Sequence, residues 1–94
     1  MQHRLYVITS NELAPVYACV QGAHAVAQYL LDSPDSEWKN DYLIFLKGDL
    51  EKVQAKLEYN NVSYTKFHEP DLNNKLTAVA VLNNQNLFKN LQTV

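Results

Sequence analysis

Apolar residues along this chain fall into short unbroken runs and into longer stretches where they recur every three or four positions. Four short runs, rich in branched and aromatic side chains, cover residues 5–9, 42–46, 62–67 and 76–82. Turn-forming residues follow these runs, and the combination predicts β-strands. The third run is the most polar, which predicts a strand near a sheet edge. The fourth is apolar throughout, apart from Thr77, which predicts a central strand.

The stretches with helical spacing predict three helices. The first begins at Pro15, a residue suited to a first helical turn, and extends to about residue 31. The second follows Asp49, a favourable N-cap, and the third is short and covers 85–91. Spacings of three and four predict that one apolar stripe of the first helix packs on a sheet, with its cysteine as a small core residue. The stripe comprises Val16, Cys19, Val20, Ala23, Ala27, Leu30 and Leu31.

The order of these elements is β-α-β-α-β-β-α, which predicts an α/β fold with a mixed four-stranded sheet and packed helices. A chain of 94 residues has room for one modest hydrophobic core. We therefore expect a single domain that spans residues 1–94.

Composition narrows the function classes. Eight basic residues face ten acidic ones, for a formal net charge of −2, which argues against general nucleic-acid binding. A local basic patch formed by Lys47, Lys52, Lys56 and Lys66 stays open. The chain has no apolar run long enough to cross a bilayer, no leader-like start and one cysteine. These features predict a cytoplasmic protein without a membrane partner.

Polar residues at spacings of four, three and four, which are Tyr17, Gln21, His24 and Gln28, line one side of the first predicted helix. Histidine has an ordinary pKa of about 6.5, so it is the side chain best suited to exchange protons near neutrality. This stripe is therefore a candidate site. The alternative is that it is the solvated face of the helix.

A second candidate follows the third predicted strand, where His68, Glu69 and Asp71 occur within four positions. Loops at strand ends often carry ligand-binding residues in α/β proteins, and a carboxylate there could orient His24 or polarise a water. The alternative is a simple turn at Pro70. The sequence has no glycine-rich phosphate loop and no Cys or His pair at metal-ligand spacing, so neither a cofactor nor a metal is predicted.

Together these residues resemble the type II peptidyl-tRNA hydrolase family. Its helix motif is similar to residues 16–25, with matches at Gln21, His24 and Ala25. Trp38 before the second strand, and Asp71 followed by Thr77, also occur in the family's order. The chain departs from the family at the start of the helix, where Tyr17 stands in place of a lysine. The resemblance therefore identifies a divergent member, with the fold of that family.

The resemblance implies hydrolysis of the ester that joins a peptide or another acyl group to tRNA. In this interpretation His24 acts as general base or acid, and Asp71 or Glu69 orients it. Gln21 and Thr77 position the carbonyl, and Tyr17 lies where substrate binds. The implied partners are tRNA and a second copy of the chain, because many members of the family are dimers. The alternative is an inactive member that serves as a binding or regulatory module, since tyrosine brings no charge at pH 7.

Overall fold

The computed structural model describes residues 2–94, which form five β-strands and two α-helices. The strands are β1 (Arg4–Ser10), β2 (Tyr42–Gly48), β3 (Thr65–Glu69), β4 (Lys75–Leu82) and β5 (Gln92–Thr93). The helices are α1 (Pro15–Asp32) and α2 (Leu50–Tyr59). Two short 3-10 helices, Pro70–Leu72 and Gln85–Phe88, follow β3 and β4.

The strands form one mixed sheet in the order β3-β4-β1-β2-β5. Strands β1 and β2 are parallel, and every other neighbouring pair is antiparallel. Helix α1 packs on β1, β3 and β4, and α2 packs on the opposite face of the sheet. Alternate residues of β1 serve the two cores: Leu5 and Val7 face α1, whereas Tyr6 and Ile8 face α2.

The structure confirms the α/β class and the mixed sheet, but the sheet has five strands and not four. The predicted final helix at 85–91 is also wrong, because only Gln85–Phe88 forms a 3-10 helix. A segment this short gains little from helix propagation. The chain instead turns back to the sheet, where Gln92 and Thr93 pair with Lys47 and Leu46 of β2.

The predicted limits of α1 agree with the structure, but the prediction of its buried face is wrong. The helix buries Ala18, Gln21, Gly22, Ala25 and Tyr29. The stripe expected in the core faces outward: Val16 is 81% exposed, Leu31 is 76% exposed, and Cys19 is exposed.

Close packing between α1 and the sheet explains this orientation. A Cβ at Gly22 would lie 2.5 Å from Cε2 of Phe45, so only glycine lets the helix approach this closely. Ala18 and Ala25 share the buried face and are similarly small. The larger Val and Leu side chains are therefore left outside, and the helix turns its small residues toward the sheet.

Strand β3 begins and ends later than predicted, at Thr65–Glu69 instead of 62–67. Leu57 and Val62 instead close the end of α2, where the Val62 amide donates to the Leu57 carbonyl and Asn61 has a φ of 55°. The shift matters for the candidate site, because Glu69 becomes the last residue of a strand and is not part of a mobile loop.

In the described part of the chain, neither helix combines the length and apolar character needed to cross a membrane.

Candidate functional site

Three buried polar side chains meet between α1 and one edge of the sheet. Nε2 of Gln21 donates a hydrogen bond of 2.8 Å to Oε2 of Glu69. Oε1 of Gln21 accepts a hydrogen bond of 2.6 Å from the hydroxyl of Thr77. Gln21 and Thr77 are fully buried and Glu69 is nearly so. We call this set the buried triad, and it joins α1, β3 and β4 through side chains that are distant in sequence.

A β-bulge directs Thr77 into the triad. Phe67 of β3 pairs with Ala78, but the next residue, His68, pairs with Leu76, so Thr77 is an extra residue in β4. As a result Leu76 packs in the core beneath α2, while both Thr77 and Ala78 face α1. Bulges commonly re-aim one side chain, and here the extra residue is the one that reaches Gln21.

The Glu69 carboxylate is held at both oxygens. Oε2 accepts from Gln21, and Oε1 accepts from the backbone amide of Asp71 at 3.2 Å. The amide of Gln21 is the main reason that the pKa of the Glu69 carboxyl lies below its usual value, and the Asp71 amide adds to it. Partial burial opposes this lowering, and the nearby His24 assists it. Glu69 is therefore a fixed anion at neutral pH.

His24 lies on the same flank of α1 as Gln21, one helical turn further along. Its imidazole stacks on the ring of Phe67, with ring centroids 4.6 Å apart and an angle of 4° between the planes. Phe67 lies two residues before Glu69 on β3, so the stacked ring stands beside the triad. Because His24 is exposed, its ring nitrogens are open to water and to ligands.

The structure brings most of the predicted site residues to one place, where some of them are exposed and others are buried. Tyr17 is exposed one turn before Gln21 on the same flank, and Asp71 is exposed in the 3-10 helix after Glu69. His68, in contrast, points to the other face of the sheet, since it alternates with Phe67 and Glu69. Gln21 and Thr77 offer no exposed surface to a substrate; in this arrangement Gln21 holds Glu69, and Thr77 holds Gln21.

The four lysines that could have formed a local basic patch do not gather beside His24. Lys52 and Lys56 lie on α2, and Lys66 pairs with Val79, whose side chain belongs to the core beneath α2. These three lysines therefore lie on the sheet face away from His24. Lys47, the fourth, is on β2, with β1 and β4 between it and β3. Alternation along β3 turns Lys66 to the face away from His24, because its neighbours Thr65 and Phe67 pair with Ala80 and Ala78 of the core beneath α1.

Lys75 is a basic residue near the triad that the sequence patterns do not single out. It pairs with Glu69 across β3 and β4, so the two side chains share the α1 face. Its ammonium Nζ lies 3.9 Å from Oε2 of Glu12, in the segment between β1 and α1.

Chemically the site has an exposed imidazole beside a fixed carboxylate, with one ammonium group and one phenol nearby. An imidazole in this setting can take a proton from water and return it to a leaving group. Residues 2–94 contain no cluster of three His, Cys, Asp or Glu side chains arranged to hold a metal ion.

Comparison with known proteins adds information about the fold. No protein-family model matches the chain, and no curated protein matches it significantly. A solved structure of similar fold is that of Atu0240 from Agrobacterium tumefaciens strain C58, a protein of unknown function. The TM-score is 0.70 at 11% sequence identity, and the match covers 100% of this chain and 98% of that one. The likeness supports the α/β architecture over the whole chain.

Proposed function

We propose that this chain is a divergent type II peptidyl-tRNA hydrolase that cleaves the ester between an acyl group and the 3′ ribose of tRNA. The observation that carries the proposal is the buried triad with His24 beside it. Gln21, His24 and Thr77 are residues on which the resemblance to that family rests, and Gln21 and Thr77 are bonded to each other across 56 positions.

In the proposed reaction His24 takes a proton from water, and the resulting hydroxide attacks the carbonyl carbon of the ester. The tetrahedral intermediate then expels the 3′ oxygen of the ribose, which receives the proton from the imidazolium. The products are free tRNA and the acyl group as a carboxylic acid. Glu69 stays ionised, because its two oxygens already accept hydrogen bonds, and its charge favours the imidazolium that forms.

The direct test measures release of tRNA from purified peptidyl-tRNA by the native protein and by the His24→Ala variant. Loss of the proton acceptor should lower kcat/KM by about 10²-fold or more. The fold should persist, because the imidazole is exposed and packs only on one side of Phe67.

His68→Ala is the matched control, since it removes an exposed histidine only one residue away from Phe67, on the other face of the sheet. It should keep native activity. Equal losses in both variants, or full activity in His24→Ala, would remove His24 from the mechanism.

Lys75 supplies the positive charge that Tyr17 does not. Substituting Lys75 by Ala should raise KM for peptidyl-tRNA roughly tenfold and leave kcat nearly unchanged, since a phosphate contact aids binding more than chemistry. The dependence of log(1/KM) on log salt concentration should also become shallower, by about one unit or somewhat less.

Lys66→Ala is the control for this prediction, because Lys66 lies on the opposite sheet face, over the ring of Tyr64. An unchanged salt dependence in Lys75→Ala, or an equal change in Lys66→Ala, would show that Lys75 makes no phosphate contact.

A second candidate function is a binding or regulatory module without hydrolase activity. The absence of a lysine at the start of α1 favours it, as does the acidic Glu12 in the preceding segment. The native protein would then leave peptidyl-tRNA intact under conditions in which its fold is complete. That outcome, with or without tRNA binding, would decide for this second candidate.

A further inference from the structure

A cleft of about 410 Å³ opens between α2 and the segment 85–91 that follows β4, on the sheet face away from His24. It is bordered by Val53 and Phe88, which belong to the core beneath α2. Its volume falls within the range of about 300 to 1,000 Å³ that is typical of sites for small molecules. No residue of the buried triad borders this cleft. A ligand bound there is therefore independent of the proposed hydrolase activity.

The floor of the cleft is apolar and closely packed. Val53 and Phe88 are buried, and Leu87 and Leu91 are half-buried beside them. Leu91 packs so closely on β2 that a Cβ at Gly48 would lie 3.0 Å from its Cδ2. Apolar side chains that remain partly open to water favour contact with an apolar group of a ligand.

The wall opposite α2 is fixed by backbone hydrogen bonds. The amide of Leu87 donates to the carbonyl of Asn84 at 3.0 Å, and the amide of Leu91 donates to the carbonyl of Phe88 at 3.1 Å. Residues 92–93 then pair with β2 as β5. The cleft is therefore preformed, and a ligand does not have to order it, which favours binding.

Two lysines on α2 give the cleft a positively charged rim. Lys52 and Lys56 are one helical turn apart, so they lie next to each other on one side of the helix. Nζ of Lys56 donates a hydrogen bond of 3.1 Å to the carbonyl oxygen of Leu87, which holds this ammonium across the cleft and leaves it further N–H donors. Within residues 2–94 neither lysine forms an ion pair with an acidic side chain. Like charges at this spacing repel, and an anionic group between them would relieve the repulsion.

Asp49 restricts the ligand to one negative charge. It borders the cleft at the start of α2, where its Oδ1 accepts hydrogen bonds from the backbone amides of Glu51 and Lys52 at 3.0 and 3.4 Å. From Asp49 to Lys56 the helix rises about 10 Å. A second anionic group at the far end of a ligand would meet the Asp49 carboxylate, whereas an apolar end would lie over Val53.

We propose that the cleft binds a small monocarboxylate with an apolar tail. The carboxylate lies between the ammonium groups of Lys52 and Lys56, with one oxygen toward each of them. The tail lies on Val53, Leu87 and Leu91. Hexanoate represents this class of ligand, and a molecule of its size should bind with a Kd of about 1 mM.

Titration of the native protein with sodium hexanoate, followed by amide NMR chemical shifts, tests the proposal. Saturable shifts should appear at Val53, Lys56, Leu87 and Leu91. Hexanol has the same tail without the charge and should bind at least about fivefold more weakly. Acetate lacks the tail and should bind at least about tenfold more weakly. Adipate carries a second carboxylate at the far end of the same chain, and repulsion from Asp49 should weaken its binding at least about fivefold.

Lys52→Met and Lys56→Met test the contact with the carboxylate, because methionine keeps an apolar stem and removes the charge. Each should weaken hexanoate binding about three- to fivefold and leave hexanol binding unchanged. Both lysines are exposed, so the fold should persist. Lys66→Met is the matched control, since Lys66 is an exposed lysine on the same sheet face but outside the cleft.

The same measurements can overturn the proposal. Shifts that do not saturate by about 20 mM hexanoate, or that centre on the apolar surface beside Trp38, would show that the cleft is not the binding site. Equal binding of hexanol and hexanoate, or equal weakening by Lys66→Met, would show that Lys52 and Lys56 do not receive the carboxylate. Acetate that binds as tightly as hexanoate would show that the apolar floor holds no tail, and adipate that does so would show that Asp49 does not select for one charge.

Discussion

Substituting Gln21 by Leu should lower the free energy of unfolding by about 2 to 3 kcal/mol at pH 7, which for a domain of this size lowers Tm by 10 °C or more. Leucine has a similar volume and favours helix, so the loss comes from the missing amide. Oε2 of Glu69 and the hydroxyl of Thr77 each lose their partner in a site that water does not reach freely. Urea unfolding followed by circular dichroism measures the change.

Gln28→Leu is the matched control, because Gln28 lies on the same helix flank but bonds only to Asp32 at an exposed position. Its free energy of unfolding should change by less than about 0.5 kcal/mol. Thr77→Val adds a second test, since the Gln21→Leu and Thr77→Val effects should be less than additive when the two side chains form one network. Additive effects, or equal losses in Gln21→Leu and Gln28→Leu, would show that the triad does not act as a unit.

The buried triad also illustrates what local sequence patterns can predict. The order of elements through β4, the limits of α1 and the Asp49 N-cap follow from turn residues and spacing, and the structure agrees. These features depend on residues close in sequence. The pairing of Gln21 with Thr77 depends on a bulge, and a bulge is set by how two strands align, which no periodicity within one strand reveals.

The prediction of the buried face of α1 is wrong for a related reason. Hydrophobic spacing alone assigned Val16, Val20 and Leu31 to the core, because larger apolar residues usually lie inside. The distance between helix and sheet decided otherwise, since Gly22 faces Phe45 at a separation that leaves no room for a side chain. A buried glutamine with two partners completes that face. In a helix rich in small residues, hydrophobic spacing alone therefore does not decide which face packs on the sheet.

Lys75 is a third case that sequence patterns miss. It begins β4 and has no special spacing, so nothing local marks it as part of a site. Its pairing with Glu69 depends on the alignment of β3 with β4, and its approach to Glu12 depends on the position of β4 beside β1. By contrast, Lys47, Lys52, Lys56 and Lys66 are close in sequence yet divide between the two faces of the sheet.

Substituting Glu69 by Gln should lower kcat/KM for peptidyl-tRNA by about 10²- to 10³-fold, if the proposed hydrolase mechanism holds. Glutamine keeps the size of the side chain but removes the charge that favours the imidazolium of His24. Asp71→Asn, which neutralises the exposed carboxyl two residues later, should change kcat/KM by less than about threefold. Steady-state release of tRNA by the two variants therefore decides which of the two acidic residues serves His24.

The acid dependence of stability separates a change of charge from a general loss of structure. Because hydrogen bonds hold the pKa of Glu69 below its usual value of 4.5, its stabilising contribution is complete above that pH and is lost as pH falls through the lower folded-state pKa. Native stability should therefore decline below about pH 4.5, and Glu69→Gln should decline less steeply. Urea unfolding at pH 7, 5, 4 and 3 measures both curves.

Asp41 provides a control that connects the measurement of kcat/KM with the measurement of stability against pH. Its pKa is also lowered, mainly by the backbone amide of His3, but it lies before β2 at the opposite edge of the sheet from Glu69. Asp41→Asn should therefore flatten the acid dependence of stability while leaving kcat/KM unchanged. If Asp41→Asn lowers activity as much as Glu69→Gln does, the loss reflects weakened structure. If only Glu69→Gln loses activity, the fixed carboxylate beside His24 has a chemical role beyond its part in the fold.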